Sequence, residues 1–596
     1  MSTPLETMRH SAAHVLAASV LELWPEAKLG VGPVVENGFY YDIDPGVTLT
    51  TNDLARLEKR MNQIIARKEK FRREEMPIAD AITFFRERKQ DFKVELLTDL
   101  LTKGTTSVRS DEAQEIDAAK PDKASVYWTG KFVDLCRGPH MENAGEIGAF
   151  KLVKIAGAYW RGDARNKQLQ RVYGVVFSNK EELDAYLKMQ EEAEKRDHRK
   201  LGVELDLFTF SPLVGAGLPM FTPRGTILRR LLEEFVGSLN AKYDYERVWI
   251  PHITKIDLYK TSGHAEKFGD DIFYVSSKKS DDQFALKPMN CPHHTQIYAS
   301  RPRSYRDLPI RYAENTTVYR DENTGQLAGL TRVRCITQDD AHIFCTPEQV
   351  EKEISNIYQI IKAYYKAFNM RLKVRLSVHD PKEMNKYLGG AAVWEKAVAT
   401  LKKFLSANKL DYELGVGEAA FYGPKLDFMS IDAIGREWQL ATAQLDFNLP
   451  ERFQLEYVDV DGAKKRPVMI HRAILGSVER FLGVAIEHFA GAFPTWLAPV
   501  QVAIVPVAQN FAVASKKLAA LFAKEGMRVE IYDPKERVGY NIRKAIGQKV
   551  PYMLVIGDKE KALKNLTVRV RGSEKEKKMT VKQFIARVTG EIAKRK

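Results

Sequence analysis

The residues of this 596-residue chain that could do chemistry fall into three groups. The first is rich in arginine: Val318-Tyr-Arg320-Asp-Glu322, then Gly329-Leu-Thr-Arg332-Val-Arg334, and Gly476-Ser-Val-Glu-Arg480 at the start of a predicted helix. Taken singly, such side chains are usually solvated surface charges. A planar guanidinium also grips phosphate with two parallel hydrogen bonds, so clustered Arg suits a phosphate-bearing ligand. The second group is Cys291 in Met289-Asn-Cys-Pro-His-His294, His342 in Gln338-Asp-Asp-Ala-His-Ile-Phe344, and His471 in Met469-Ile-His-Arg-Ala473. A lone buried His or Cys is more often structural than a ligand. One Cys with two His is nevertheless a ligand set for catalytic zinc, with the fourth position open. The third group lies near the N-terminus. His10 and His14 are four apart on a predicted helix, so both point to one face. Cys136 and His140 have the same spacing, but Gly138-Pro139 between them implies a loop. Four such groups could close a zinc site. The metalloprotease pattern is absent, because Ser11 occupies the place of its Glu.

Four segments must position these residues. Residues 1–177 open with a helical pattern, Met8, Ala12, Ala13, Leu16, Val20 and Leu21, and continue with short β-rich runs such as Gly38 to Asp42 and Arg171 to Phe177. This reads as an α+β domain. Residues 178–201 read as a charged helix, a connector or equally a surface helix of either neighbour, opened by a Ser178-Asn-Lys-Glu181 capping box and stopped by Gly202. Residues 202–496 alternate long helices with β-rich runs. Residues 497–596 alternate strands near Val500–Val505, Arg528–Tyr532 and Tyr552–Ile556 with helices near Phe511–Lys524 and Asn541–Lys549. That alternation implies a parallel-type α/β sheet.

Bulk properties narrow the classes. A chain this long exceeds one hydrophobic core, so three or four domains are expected. No uncharged apolar run is long enough to span a bilayer, and the N-terminus has neither signal- nor transit-peptide character. A cytoplasmic location is expected. Four cysteines, Cys136, Cys291, Cys335 and Cys345, argue against a disulfide framework. The net charge of +14 is concentrated at one end: residues 497–596 hold 22 Lys and Arg against 9 Asp and Glu. Such a segment suits a polyanion, most simply nucleic acid, although a solvated basic surface would show the same balance.

In their order along the chain, the arginine motifs resemble motifs 2 and 3 of the class II aminoacyl-tRNA synthetases. Tyr245 to Pro251, after a predicted helix from Thr226 to Asn240, resembles motif 1, which builds the dimer interface of that class. The Cys291/His342/His471 set around those motifs closely matches the threonyl-tRNA synthetases. The resemblance covers essentially the whole chain. It implies a class II antiparallel sheet core, an N-terminal α+β editing domain and a C-terminal α/β anticodon-binding domain. It implies a homodimer that binds ATP with Mg²⁺, L-threonine and tRNA(Thr), and one Zn²⁺ held by Cys291, His342 and His471. In the family that zinc takes the amino group and hydroxyl of threonine. Arg320 would then bridge the α-phosphate and the amino-acid carboxylate. Glu322 would face the adenine amino group, Arg332 and Arg480 the γ-phosphate end, and Gln439 and Thr442 would complete the nucleotide pocket. Asp340 would accept the threonine hydroxyl, with Gln338, Tyr422 and Gln444 lining the pocket, and His264 would serve aminoacyl transfer. The N-terminal set, His10, His14, Tyr41, Lys93, Asp134, Cys136 and His140, matches the family's site for hydrolysing seryl-tRNA, which generally works through positioned water without a metal. Glu560 and Arg569 fall where the family reads anticodon bases.

The sequence also departs from the family. Met1 lies almost at the first editing histidine, so the small ubiquitin-like domain that opens many members is expected to be missing. Ile336 stands where an adenine-stacking Phe is usual, His293 where Gly is usual, and Pro534 and Asn541 where basic residues are common. Three other readings compete: a prolyl-type class II enzyme, a hydrolase of mischarged tRNA with a defunct synthetase core, and a non-catalytic tRNA-binding protein. The zinc set speaks against the first. Retention of Arg320, Glu322 and Arg480 speaks against the other two.

Overall fold

A computed structural model describes residues 3–106, 122–163, 165–267, 269–573 and 575–595. The chain divides into two compact units, Met1–Glu191 and Glu192–Lys596. No helix among the described residues is long and apolar enough to cross a membrane. All four cysteines are free thiols.

The first unit is built around helix α1, Pro4–Leu23. Thr3 accepts the Glu6 N–H at 3.3 Å, and the Glu6 carboxylate accepts the Thr3 N–H at 2.6 Å. This reciprocal cap, with Pro4 at the first turn, fixes where the helix starts. Every residue from Ser11 to Val20 is buried. The sequence pattern foresaw the helix but not its enclosure, which Ala and Ser make possible on the faces where larger residues would not fit. Helix Thr51–Ala66 packs on it, as does an antiparallel sheet of Lys28–Leu29, Gly38–Asp44, Gln168–Phe177 and Ala149–Tyr159. A second sheet joins Phe71–Pro77, Lys123–Thr129 and Phe132–Leu135.

The charged helix is α2, Lys180–Arg196. Its cap lies one residue beyond the expected Ser178/Glu181 pair. Asn179 Oδ1 accepts the Glu182 N–H at 2.8 Å, and the Glu182 carboxylate accepts the Ser178 N–H at 3.3 Å. This register brings Leu183 inward, where it is buried. Nor does Gly202 stop a helix. It lies inside α3, His198–Glu204, where a Cβ would come within 2.2 Å of the Phe208 ring. It is a close-packing glycine.

The second unit centres on an eight-stranded sheet. Four of its six inner strands are β1, Ile310–Tyr319; β2, Cys335–Cys345; β3, Glu437–Asp446; and β4, Val468–Ser477. They lie in the order β1-β2-β4-β3, all antiparallel. Short parallel strands, Glu246–Arg247 and Tyr412–Val416, close the two edges. Helices Pro223–Asn240, Val350–Ala367 and α4, Val478–His488, cover one face and form the main core with it. The other face carries the polar residues of interest.

One buried pair locks this sheet. Arg472 is fully enclosed and donates to the Asp339 carbonyl at 3.0 Å, to its carboxylate at 3.2 Å, and to Asn240 at 2.8 Å. The Asp339 carboxylate also accepts the N–H groups of Ile474 and Leu475 at 2.8 and 3.1 Å. It thereby seals the irregularity where β2 shifts register against β4, between Gln338 and Asp340.

The last hundred residues form a five-stranded sheet. Val529–Ile531, Val502–Pro506 and Tyr552–Ile556 are parallel, as read from the sequence. Asn565–Val570 and Lys577–Thr580 then add antiparallel, so the sheet is mixed rather than purely parallel.

Removing one partner of a buried ion pair leaves the other charged and enclosed, at a cost of about 3–5 kcal/mol. Arg472→Met is therefore expected to lower the unfolding free energy of the second unit by that order, and the urea midpoint with it. The double change with Asp339→Leu should be milder than either single change, as followed by urea titration.

Candidate functional site

The register of the inner strands brings the second group together. Tyr312, His342, His471 and Gln444 are successive neighbours across β1, β2, β4 and β3. Glu314, Asp340, Ala473 and Thr442 form the next row. Cys291 comes from outside the sheet, at the first turn of helix Cys291–Ala299. One ligand atom each from Cys291, His342 and His471 lies within 4.8 Å of the others, and all three residues are buried.

The surroundings fit a metal. The Asp446 carboxylate can only accept, so its 2.8 Å contact with His471 Nε2 puts the ring hydrogen there and leaves Nδ1 bare. Asp446 is itself held by the N–H groups of Asn448 and Leu449. His342 Nδ1 is engaged by His294 Nδ1 at 2.8 Å, which leaves His342 Nε2 open. Outer partners that set the tautomer of each ligating imidazole are the usual support of a zinc site. None of these partners was foreseen. His294 and Asn290 sit inside the Cys291 motif, yet Asp446 is 25 residues from His471, and only strand pairing joins them.

Beside this set lies a cavity of about 300 Å³ lined by His264, Met289, Arg320, Phe421, Tyr422 and Gln444, among others. Tyr422 stacks on His471, with centroids 4.6 Å apart, and donates to Gln444 Oε1 at 2.5 Å. Asn290 Nδ2 donates to Asp340 at 3.0 Å and to Gln338 at 3.4 Å. Burial raises the Asp340 pKa, against the pull of His294 and Asn290. His264 is enclosed, bonded to Ser262 at 2.8 Å, and 3.6 Å from the Cys291 thiol. Burial, with His471, Arg320 and Arg452 nearby, lowers its pKa to about 3, so it is neutral near pH 7.

The arginine group occupies the loop between β1 and β2 and the start of α4. Arg320 donates to the Met289 sulfur at 3.1 Å. Arg332 pairs with Glu322, Nε to Oε2 at 2.8 Å. Arg480 is placed by the Ser477 cap of α4. Burial, then the charge of Arg332, lowers the Arg480 pKa, and its Nε is buried with no partner among the described residues. Two guanidinium groups that repel each other, one with an unspent donor, make a place for an anion. Gln439 is exposed and Thr442 half-buried, on the strand that also bears Gln444. Ile336 lies opposite Val318 in the β1–β2 ladder, an aliphatic neighbour for any ring placed there.

In the first unit all seven residues of the N-terminal set come together. The ligand atoms of His10, His14, Cys136 and His140 lie within 4.8 Å of one another. Cys136 Sγ is 3.3 Å from both His10 Nε2 and His140 Nε2. The Pro139 carbonyl engages His10 Nδ1 at 3.1 Å, and Ser11 Oγ engages His140 Nδ1 at 3.2 Å. Lys93 Nζ reaches Asp134 at 2.5 Å and Tyr41 at 3.1 Å, and Tyr41 donates to Asp134. Burial pushes Cys136 up to about 12 and lowers the pKa of all three imidazoles. At neutral pH the cluster therefore holds a thiol and neutral rings. Ser11, noted in the sequence only for not being Glu, proves to be a hydrogen-bond partner of the site.

The basic C-terminal sheet separates its two candidates. Glu560 is buried and spent on Thr567 at 2.7 Å and the Gly557 N–H at 3.3 Å. Arg569 pairs with Glu576 at 2.7 Å and lines a cavity of about 730 Å³ with Lys549 and Arg571.

Known proteins match each part. Residues 273–489 match the tRNA synthetase class II core domain (G, H, P, S and T), and residues 501–591 the anticodon binding domain. Residues 124–173 match the threonyl and alanyl tRNA synthetase second additional domain. The threonine–tRNA ligase of Parabacteroides distasonis is 46% identical over 98% of this chain and 87% of that relative. That of Porphyromonas gingivalis is 47% identical over 94% and 84%. The solved RNA binding domain of threonyl-tRNA synthetase from Cryptosporidium parvum superposes with a TM-score of 0.63 at 36% identity, covering 66% of this chain and 98% of that one. A prolyl-tRNA synthetase structure from Giardia lamblia, at 16% identity and a TM-score of 0.53, shares the fold alone. With relatives of this identity matched over nearly all of this chain and more than four fifths of their own length, the chain belongs to the threonyl-tRNA synthetases.

Proposed function

We propose that the chain is a threonine–tRNA ligase that activates L-threonine with ATP and Mg²⁺, transfers it to tRNA(Thr), and hydrolyses seryl-tRNA(Thr) at a second site. The observation that carries this reading is the buried Cys291/His342/His471 set beside the Arg320 cavity. Residues 202–496 would perform activation and transfer, 1–177 editing and 497–596 anticodon recognition, with 178–201 connecting them. Trp249, 75% exposed in the Tyr245 to Pro251 segment, supports a homodimer through that segment. The absence of a membrane-length apolar helix among the described residues fits a cytoplasmic enzyme.

Adenylate formation is attack of the threonine carboxylate on the α-phosphorus of ATP, with pyrophosphate leaving. The charge that develops sits on phosphate oxygens, so positioning and electrostatic stabilisation do most of the work. Arg320, at the cavity wall, holds the α-phosphate and the carboxylate together. Arg480 and Arg332 take the γ-phosphate end, where the unspent Arg480 Nε supports an anion. Glu322, freed from Arg332, would meet the adenine amino group, with Gln439 and Thr442 completing the pocket. Bound zinc would supply a Lewis-acid position for the amino group and hydroxyl of threonine. Asp340 accepts that hydroxyl, while Gln338, Tyr422 and Gln444 shape the wall. Valine has the same outline but offers Asp340 no donor to add to the one from Asn290, and a site built to bond a hydroxyl rejects the analogue lacking it strongly. His264, at the cavity wall and neutral near pH 7, would serve aminoacyl transfer by positioning the tRNA ribose.

At the N-terminal set, a thiol with a pKa near 12 is a poor nucleophile, which supports hydrolysis by a water held among His10, His14, His140 and Cys136. Lys93, Asp134 and Tyr41 would orient the seryl ester beside it. Arg569, and Glu560 once released from its own sheet, would meet anticodon bases.

ATP–pyrophosphate exchange should be strong with threonine, weaker with serine and negligible with valine; exchange with proline instead would overturn the assignment. Cys291→Ser should lose about one zinc equivalent per chain by elemental analysis, together with threonine activation. An unchanged metal content would remove Cys291 from the ligand set. His10→Ala and Cys136→Ala should slow seryl-tRNA hydrolysis by roughly 10²-fold while threonyl-tRNA synthesis persists, and hydrolysis at the original rate would exclude them from that role.

A further inference from the structure

Three groups at the start of α3 and the end of α4, Asp197, His198 and Glu487, bring ligand atoms within 4.8 Å of one another. They do not form a metal site, because their atoms are already spent. His198 Nδ1 meets Glu487 Oε1 at 2.6 Å, and His198 Nε2 accepts the Leu330 N–H at 2.9 Å. Asp197 caps α3 through the Arg199 N–H at 2.8 Å and pairs with the Arg199 side chain.

The direction of these bonds matters. An amide N–H can only donate, so His198 Nε2 carries the lone pair and the ring hydrogen sits on Nδ1, aimed at the Glu487 carboxylate. Leu330 belongs to Gly329-Leu-Thr-Arg332, the stretch that carries Arg332. Glu487 is on α4, the helix that carries Arg480. His198 thus ties the two arginine-bearing elements of the ATP site together from outside that site. The contact is close-packed. Gly329, at φ +52°, lies where a Cβ would come within 2.2 Å of His198 Nε2, and a Cβ on Gly483 of α4 would come within 3.4 Å of Leu330 and 3.5 Å of His198. The chain of contacts continues to Arg480. Glu487 Oε2 pairs with Arg436 at 2.6 Å, Arg436 donates to Asp432 at 2.7 Å, and Asp432 accepts the Trp438 indole N–H at 3.0 Å. The Arg480 guanidinium lies 6.0 Å over the Trp438 ring and donates to the Thr331 carbonyl at 3.5 Å. Just before α3, Arg196 donates to the carbonyls of Glu487 and His488 at the C-terminal end of α4.

We infer that His198 is a positioning residue for ATP: through its Nε2 bond to Leu330 N–H it sets the Arg332 loop against α4, and so fixes the spacing of Arg332 and Arg480 that grips the nucleotide's phosphates. The inference rests on the ATP-site reading above. His198 touches neither nucleotide nor amino acid. Its loss should therefore appear in ATP affinity and not in threonine affinity.

Two amides of similar size separate the two bonds. Asn reaches the place of Nδ1 and can still donate to Glu487, but falls short of Leu330. Gln reaches the place of Nε2 and can still accept the Leu330 N–H. His198→Asn should raise the KM for ATP in threonine-dependent pyrophosphate exchange roughly tenfold, the size of one lost hydrogen bond, and leave the KM for threonine unchanged. His198→Gln should stay within about twofold of the unaltered chain for both substrates. An unchanged ATP KM in His198→Asn, or equal rises for ATP and threonine, would overturn the inference. Hydrogen exchange on the unaltered chain gives a readout that does not need the variants to fold. The Leu330 amide should exchange slowly before ATP is added, and fast exchange there would overturn the anchor. If the unaltered chain shows no threonine-dependent exchange, the functional reading fails, and the amide measurement still decides the His198 contact.

Discussion

The second unit depends on one buried charge pair. Asp339 and Arg472 sit back to back with the chemistry: Asp339 lies between Gln338 and Asp340, and Arg472 follows His471 directly. Side chains alternate along a strand, so each of these residues points into the core while its neighbour points to the open face. The Arg472 guanidinium also lies 4.7 Å over the Tyr245 ring and bonds Asn240, which ties the helix before the Tyr245 segment to the same point. A pair of this kind is seldom retained for stability alone, since apolar residues of equal volume often do as well. Its value here is register. A slip of one residue between β2 and β4 would send His342 or His471 to the wrong face, and the three-residue ligand set would no longer exist.

The two clusters of His and Cys solve different electrostatic problems. In the second unit, Asp446 and the His294–Glu314 side direct each imidazole's bare nitrogen toward the Cys291 thiol. In the first unit, the Pro139 carbonyl and Ser11 do the same for His10 and His140, but the adjoining Lys93–Asp134 pair and Tyr41 make a polar wall beside them. Burial keeps the rings of His10, His14 and His140 uncharged near neutral pH.

Much of this was legible in the sequence, because the residues concerned sit in contiguous motifs. The Cys/His sets and the arginine motifs could be named from their spacing and family resemblance. Helix α1 followed from its helical spacing, and the strand Tyr552–Ile556 from its unbroken apolar run. What escaped was set by tertiary contact. Ser178 and Asn179 are both good caps, and Glu181 and Glu182 are both acids. Only the inward position of Leu183 decides between the two registers. Gly202 looked like a stop because packing of Phe208 against it leaves no trace in local sequence. Asp446 and His198 act on residues 25 and 132 positions away, a distance that no motif spans. The strand Asn565–Val570 does alternate polar and apolar residues, a signal left unread, whereas Lys577–Thr580, with two lysines in four residues, shows no clear alternation.

The enclosure of α1 has a further consequence. His10 and His14 ride on the very helix that gives seven buried residues, Ala12, Ala13, Val15, Leu16, Ala17, Ala18 and Val20, to the first unit's main core, a cluster separate from the core of the second unit. On the proposed reading, damage to that small-residue helix, by an added methyl group or by heat, would remove seryl-tRNA hydrolysis while the separate synthetic core stood. Translation would then continue with serine entering at threonine codons.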